Sequence, residues 1–267
     1  MLLLGLLSLA TSCGGCSKEA DAPAAPGGTA PAAGGTAGGA AGEGKPAAEL
    51  KKVDPATVGS VAGLVRVEGD VPPPRRFSPS GDTVCIEAHK ELTDDALLAS
   101  GGKLQNAFVW ISRGLEGFAF ETPETPVDVQ QTGCVYSPRM VGLMVNQKLL
   151  VHNNDPTLHN VDAKARINKP SNLGQPAGTP PREFTFKKVE VAIPLVCDVH
   201  AWMRSNVAVV PHPFFAITGA DGAFAIKGLP PGKYTVQAWH ETLGTQEAEI
   251  TVETGKENKV PDLVFHK

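Results

Sequence analysis

The chain is short of the features that mark several large protein classes. Nowhere among its 267 residues does an apolar run approach the length needed to cross a bilayer, which is about 20 residues for a helix. No basic stripe appears, and the formal net charge is only −4. Nucleic-acid binding therefore has little support, and the charge is too small to steer a strongly charged partner. No helical period of useful length is present, so the apolar residues have to be buried by strands. Residues 17–50 hold almost nothing but Ala, Gly, Pro and a few charges. That stretch has too little apolar side-chain surface to offset the entropy of ordering it. Residues 17–57 are expected to be a disordered, flexible tether.

Ahead of the tether, Met1 to Ala10 is leucine-rich and has the length of a signal-peptide core, although Lys18 is the first cation. Export is the expectation, with residues 1–16 as the leader. Cys13 follows small residues in a way that resembles a bacterial lipoprotein box. Ala10 stands where the usual leucine would be, and Cys16 is a second candidate for lipidation. The expected location is the periplasm or a lipid-anchored position on a membrane, with plain cleavage to a soluble protein as the alternative.

Three cysteines remain beyond the leader: Cys85, Cys134 and Cys197. In an oxidising compartment cysteines tend to pair, and a leftover one needs a reason. Cys85 and Cys134 both lie upstream in Gly/Pro/Thr-rich surroundings and are the expected pair, although the sequence does not prove the connectivity. Cys197 is then left over, and it alone has a His and a Met close behind it.

The region from residue 58 reads as many short strands with Gly and Pro turns. Val58 to Glu68 alternates, Asn106 to Ile111 is apolar, and Gly142 to Val151 is one long strand or a pair. Phe184 to Val196 alternates but is broken by Pro194, and residues 94–99 suggest a short helical turn. After Pro213, Asp221-Gly222 between two apolar runs is a hairpin signal, and Tyr234 to Trp239 and Glu247 to Val252 add strands. The expected fold class is all-β, with sandwich architecture.

The chemistry concentrates in Cys197-Asp198-Val199-His200-Ala201-Trp202-Met203, a C-x2-H-x2-M spacing. A second segment, Asn153-Asn154-Asp155-Pro156-Thr157-Leu158-His159-Asn160-Val161, offers a His in a turn between strand-like runs. Two imidazoles, a thiolate and a thioether suit copper, because a His2Cys plane with a weak axial Met tolerates both Cu(I) and Cu(II). Asn160 is placed to restrain the Cys197 loop. Each residue also has a plainer reading: Met203 as core filler, His159 as a satisfied loop histidine. Zinc fits less well, since Met is not among its usual ligands. A Cys–His nucleophilic pair lacks a visible oxyanion or third-residue arrangement, so an enzyme is not expected.

These two segments resemble the cupredoxins, above all plastocyanin and amicyanin. The resemblance covers roughly 135–212. It implies a Greek-key β-sandwich, one copper ion and one-electron transfer, with His159 and His200 as imidazole ligands, Cys197 as thiolate and Met203 as axial ligand. Residues 213–267, through Phe224-Ala225-Ile226-Lys227-Gly228-Leu229-Pro230-Pro231-Gly232-Lys233-Tyr234-Thr235-Val236, resemble carboxypeptidase regulatory-like modules, which are small transthyretin-like sandwiches. No zinc-peptidase motif accompanies them.

The expected organisation is then a copper domain over 58–212, followed by the small sandwich over 213–267. Residues 58–134 would be an N-terminal elaboration of the copper domain, and 163–182 a long loop. His152 is expected to point away from the metal, His240 to sit at the rim of the domain junction, and Trp202 to shield the copper or offer a docking surface. The expected function is an exported one-electron carrier working with a periplasmic redox partner protein. Copper binding and delivery, or a metal-free adhesion or scaffold protein of two sandwiches, are the alternatives.

Overall fold

A computed structural model describes residues 50–267. The expected leader, with Cys13 and Cys16, and nearly all of the expected tether lie outside the described residues. The last few tether residues depart from the expectation of disorder. Lys51 donates its backbone N–H to Gly117 and accepts from Ala119, and Val53 packs against a core. Val53 supplies the apolar anchor that the Ala/Gly/Pro stretch lacks.

Three stretches of chain build the fold. The first contributes β1 (Gly59–Glu68), β2 (Arg76–Phe77), α1 (Thr83–Ala88), β3 (Leu92–Thr93), β4 (Ala99–Ser100), β5 (Lys103–Leu104) and β6 (Phe108–Arg113). The middle stretch contributes β7 (Val127–Gln131), β8 (Tyr136–Ser137), β9 (Met140–Met144), β10 (Lys148–Asn153), β11 (His159–Ala163), β12 (Ser171–Gln175), β13 (Arg182–Thr185), β14 (Glu190–Val196) and β15 (Arg204–Val210). The last contributes β16 (Phe215–Ile217), β17 (Ala223–Leu229), β18 (Gly232–His240), β19 (Gly244–Val252), β20 (Glu257–Lys259) and β21 (Leu263–His266). The all-β class expected from the sequence is what the structure shows.

The middle stretch makes a complete sandwich. One sheet runs β13-β10-β7-β8 and the other β12-β11-β14-β15-β9. β7 lies parallel to β10, and β9 parallel to β15, so the chain crosses between sheets rather than meandering. Val129, Leu143, Leu149, Val151, Val161, Ile193, Leu195 and Val207 fill the space between.

The first and last stretches together make the second sandwich, which corrects the expected domain boundaries. β1 pairs with β17, β20 and β21. β6 is flanked by β16 and β18. Val61, Val65, Leu104, Val109 and Ile111 share one core with Phe224, Ile226, Val236 and Phe265. β1, β5 and β6 are therefore not an elaboration of the middle sandwich, which is inserted between two halves of its neighbour; of residues 58–113, the segment around α1 does pack on the middle core, through Cys85. The strand period that marks β1 carries no information about its partner, about 160 residues away along the chain.

A third apolar layer joins the two sandwiches. β15 is buried on both faces: Val207 and Val209 face the middle core, and Ala208 and Val210 face Phe108, Trp110 and Met140. The unbroken Val207-Ala208-Val209-Val210 run is the mark of such a two-sided strand. Gly142 in β9 permits the approach, because a Cβ there would lie 2.6 Å from ring atoms of Phe108 and Phe215. A polar clamp backs this layer: the buried Arg139 guanidinium takes both Glu241 oxygens at 2.7 Å and also bonds Asp95.

Local expectations fared unevenly. The apolar stretch 140–153 is two strands in different sheets. The expected loop 163–182 contains β12, which forms a full antiparallel ladder with β11. Pro194 sits inside β14 without ending it, and its carbonyl accepts the Lys164 N–H. Residues 94–99 form no helix; the one described helix is Thr83–Ala88.

Candidate metal centre

His159 is the first residue of β11, and Cys197, His200 and Met203 occupy the turn from β14 to β15. The turn closes on itself: Met203 donates its N–H to His200, and Cys197 donates its N–H to Met203. Hydrogen-bonded strands on either side hold the two loops against each other through the Asp162–Val196 and Ala163–Leu195 pairs. This is how residues 38 apart in sequence meet.

The donor atoms of His159, Cys197 and His200 all fall within 4.8 Å of one another. The two Nδ1 atoms are 3.0 Å apart, and Cys197 Sγ is 3.8 Å from His200 Nδ1. Two nitrogens bound to one first-row ion at about 2.0–2.1 Å each lie at roughly such a spacing. Met203 is buried in the same cluster. Exposure is 0 % for His159, 3 % for Cys197, 1 % for His200 and 1 % for Met203, so no donor faces solvent. Cys197 is the free cysteine among the described residues.

Each imidazole turns its other nitrogen to a carboxylate. His159 Nε2 lies 2.8 Å from Asp155 Oδ2, and His200 Nε2 lies 3.3 Å from Asp82 Oδ2. Asp155 also accepts the backbone N–H groups of Gly133 and Cys134. Asn160 restrains the Cys197 loop as expected: its Oδ1 accepts Cys197 Sγ–H at 3.3 Å and the Asp198 N–H at 2.7 Å. Tyr136 O–H donates to the Asn160 carbonyl, fixing that residue from behind.

The electrostatics follow from these contacts. Burial acts to raise the Cys197 thiol, but His159 and nearby backbone N–H groups outweigh it and hold the thiol below its ordinary value. Burial acts to lower His159, yet Cys197 and Asp155 raise it. Burial and the neighbouring His159 charge lower His200. Burial acts to raise Asp155, and the Cys134 N–H and His159 bring it below the usual carboxylate range. The pocket thus favours a thiolate and two imidazoles around one positive charge. A metal cation meets the same demand as a proton.

The pairing of Cys85 with Cys134 is present as a disulfide. It lies against the site, with Cys85 Sγ 3.4 Å from His200 Nε2. Trp202 lies tilted against the His200 ring with centroids 5.2 Å apart, donates its Nε1–H to the Cys134 carbonyl, and lines a cleft with Arg75, Phe77 and Arg204. His152 bonds Asp128, away from the site. His240 is buried at 1 % exposure beside Phe265 rather than standing on a rim. Sequence reasoning missed Asp82 and Asp155. Asp155 was within reach, four residues before His159 in a tight turn, whereas nothing local marks Asp82.

Residues 204–265 match the family model of the carboxypeptidase regulatory-like domain. No curated protein matches the chain. Among solved structures, the chain is similar to a novel purple cupredoxin from Nitrosopumilus maritimus at 22 % identity and a TM-score of 0.27, covering 31 % of this chain and 98 % of that one. A Cu(I) amicyanin variant gives 20 % identity and a TM-score of 0.28 over 33 % of this chain and 86 % of its own. A copper-containing nitrite reductase from Thermus scotoductus gives 20 % and 0.29, covering 43 % of this chain and 26 % of that one. The family match begins in β15, inside the middle sandwich, and omits β1, β5 and β6, which complete the second sandwich.

Proposed function

We propose that the middle sandwich holds one copper ion between His159, Cys197 and His200, with Met203 as a weak fourth donor, and serves as a one-electron carrier. The observation that carries this reading is the convergence of two buried imidazole Nδ1 atoms and a free thiol. The donor set fits copper: nitrogen suits Cu(II), sulfur suits Cu(I), and a third-row thioether neighbour is foreign to closed zinc sites. Bound copper would supply a reversible single-electron couple.

The chain's own residues do the rest. β11, β14 and β15 hold the donors in nearly fixed positions, which keeps rearrangement small when charge changes. Asp155 and Asp82 orient the imidazoles, and Asn160 holds the Cys197 loop through the Asp198 N–H. Burial excludes water and exogenous ligands. It also argues against copper delivery, which needs a donor that an acceptor protein reaches, and no donor here is exposed. The protein has no bond-making role of its own in this reading, and its partner is a redox protein.

The disulfide supports an oxidising compartment, the periplasm or the outer face of a membrane. Lipidation at Cys13 would tether the protein there, and mass spectrometry of the membrane-extracted N-terminus tests it.

The central test is the absorption and EPR spectrum of the copper-loaded full chain. An intense thiolate-to-copper band in the visible is expected, lost in Cys197→Ser and retained with a shifted potential in Met203→Leu. A colourless copper-loaded protein with Cys197 still open to alkylation under denaturing conditions sinks the reading.

A further inference from the structure

Asp82 divides its two oxygens between separate tasks. Oδ1 accepts the Val84 N–H at 2.8 Å and caps α1. Oδ2 accepts the Thr157 hydroxyl at 2.6 Å and faces His200 Nε2 at 3.3 Å. One carboxylate therefore ties together the cap of a helix, the loop before His159, and a donor from the turn after β14. Both cysteines of the adjoining disulfide are fully buried, and Cys134 is itself fastened through its N–H to Asp155 and its carbonyl to Trp202. The segment that closes over His200 is thus held from three sides. It belongs to the connection between β1 and β4, strands of the other sandwich.

We infer that Asp82, lent by the neighbouring sandwich, is a positioning residue that fixes the tautomer of His200. The inference rests on the metal-site reading above for its purpose, but not for its geometry. A carboxylate has no proton to give at neutral pH, so at 3.3 Å its charge favours the ring proton on Nε2, which Cys85 Sγ also faces at 3.4 Å. The neutral ring then carries its lone pair on Nδ1, the nitrogen 3.0 Å from His159 Nδ1 and 3.8 Å from Cys197 Sγ. Asp155 holds His159 Nε2 in the same way. The His200 ring is set with a free nitrogen inward before any ion arrives, which removes the cost of reorienting it on binding. A capping role alone accounts for Oδ1 and leaves the direction of Oδ2 unexplained.

Asp82→Asn separates the two roles. Asn caps a helix as well as Asp does, so α1 and the fold are retained. Its amide nitrogen, however, takes the place of Oδ2 and presents N–H to His200 Nε2. The ring then does better with its proton on Nδ1, where it blocks the inward lone pair. Long-range 1H–15N spectra of the metal-free full chain read this directly: Nε2–H in the natural protein, Nδ1–H in Asp82→Asn. Affinity for Cu(II), and for Co(II) as a second probe, is expected to fall about 10- to 100-fold. Thr157→Val, which removes only the hydroxyl on the same oxygen, should leave tautomer and affinity nearly unchanged. An unchanged His200 tautomer in Asp82→Asn overturns the inference, and so does an equal loss of affinity in Thr157→Val. The tautomer readout needs no metal, so a switch of tautomer in a protein that never turns blue would retain Asp82's role and discard the copper reading.

Discussion

Cys197, His200 and Met203 could be recognised as a set because they lie within one seven-residue turn, where spacing and geometry are nearly the same thing. His159 could be added because of the residues around it. Asp82 could not: it stands among Gly and Thr residues that look like any turn, 118 positions before His200 (200 − 82). His240 shows the opposite failure, since its place at a strand end suggests a rim and yet it is enclosed. Burial pushes His240 down to about 4; Arg139 adds to the lowering, and Glu241 opposes it. An unfolded His titrates near 6.5, so between about pH 6.5 and 4 the unfolded chain binds the extra proton and gains. Stability from this residue is full above that window and is lost as pH falls through it, by up to roughly 3 kcal/mol. Urea melts of the natural protein and His240→Gln across pH 4–7 should show a smaller acid-side loss in the variant. Parallel curves would dismiss the effect.

At the level of strands, period and punctuation located most elements but not their neighbours. β11 was foreseen only as a turn with a histidine, and its partner β12 was hidden in a segment whose Pro, Asn and Gly content suggests a loop. Pro194 misled for a related reason: the rule against proline in strands concerns the missing N–H, while its carbonyl still pairs. β9 exposes a constraint that composition does not show. Gly142→Ala places a methyl 2.6 Å from two aromatic rings, in a layer that cannot open without separating the sheets. A loss of about 1–3 kcal/mol is expected, as for other overpacked cores. Gly174→Ala, where an added Cβ meets nothing within 4 Å, is the control in the same thermal melt, and equal melting temperatures for the two variants would refute the packing argument.

Across the whole molecule, the two sandwiches expected from the sequence are present, but they are nested and not consecutive. Local patterning is blind to this, because an insertion changes which strands pair without changing how any strand reads. The practical consequence concerns the segment matched by the family model. A fragment of residues 204–265 contains β17 and β18 without their partners β1 and β6. It also retains β15 with both apolar faces bare. Such a fragment should be unfolded or aggregated, with no dispersed amide spectrum, whereas a chain joining 50–120 directly to 211–267 restores every strand of that sandwich. Independent folding of 204–265 would contradict the interleaved core.

The nested arrangement has a mechanical side. A domain attached at one end swings on its linker, and its reactive centre samples many directions. Here the polypeptide enters the middle sandwich from its neighbour's β6 and returns to it at β16, strands that lie side by side in one sheet. Two adjacent crossings leave no single pivot. The buried donors are therefore carried on a body of two sandwiches that moves as one piece, and a substitution in either changes the same rigid unit.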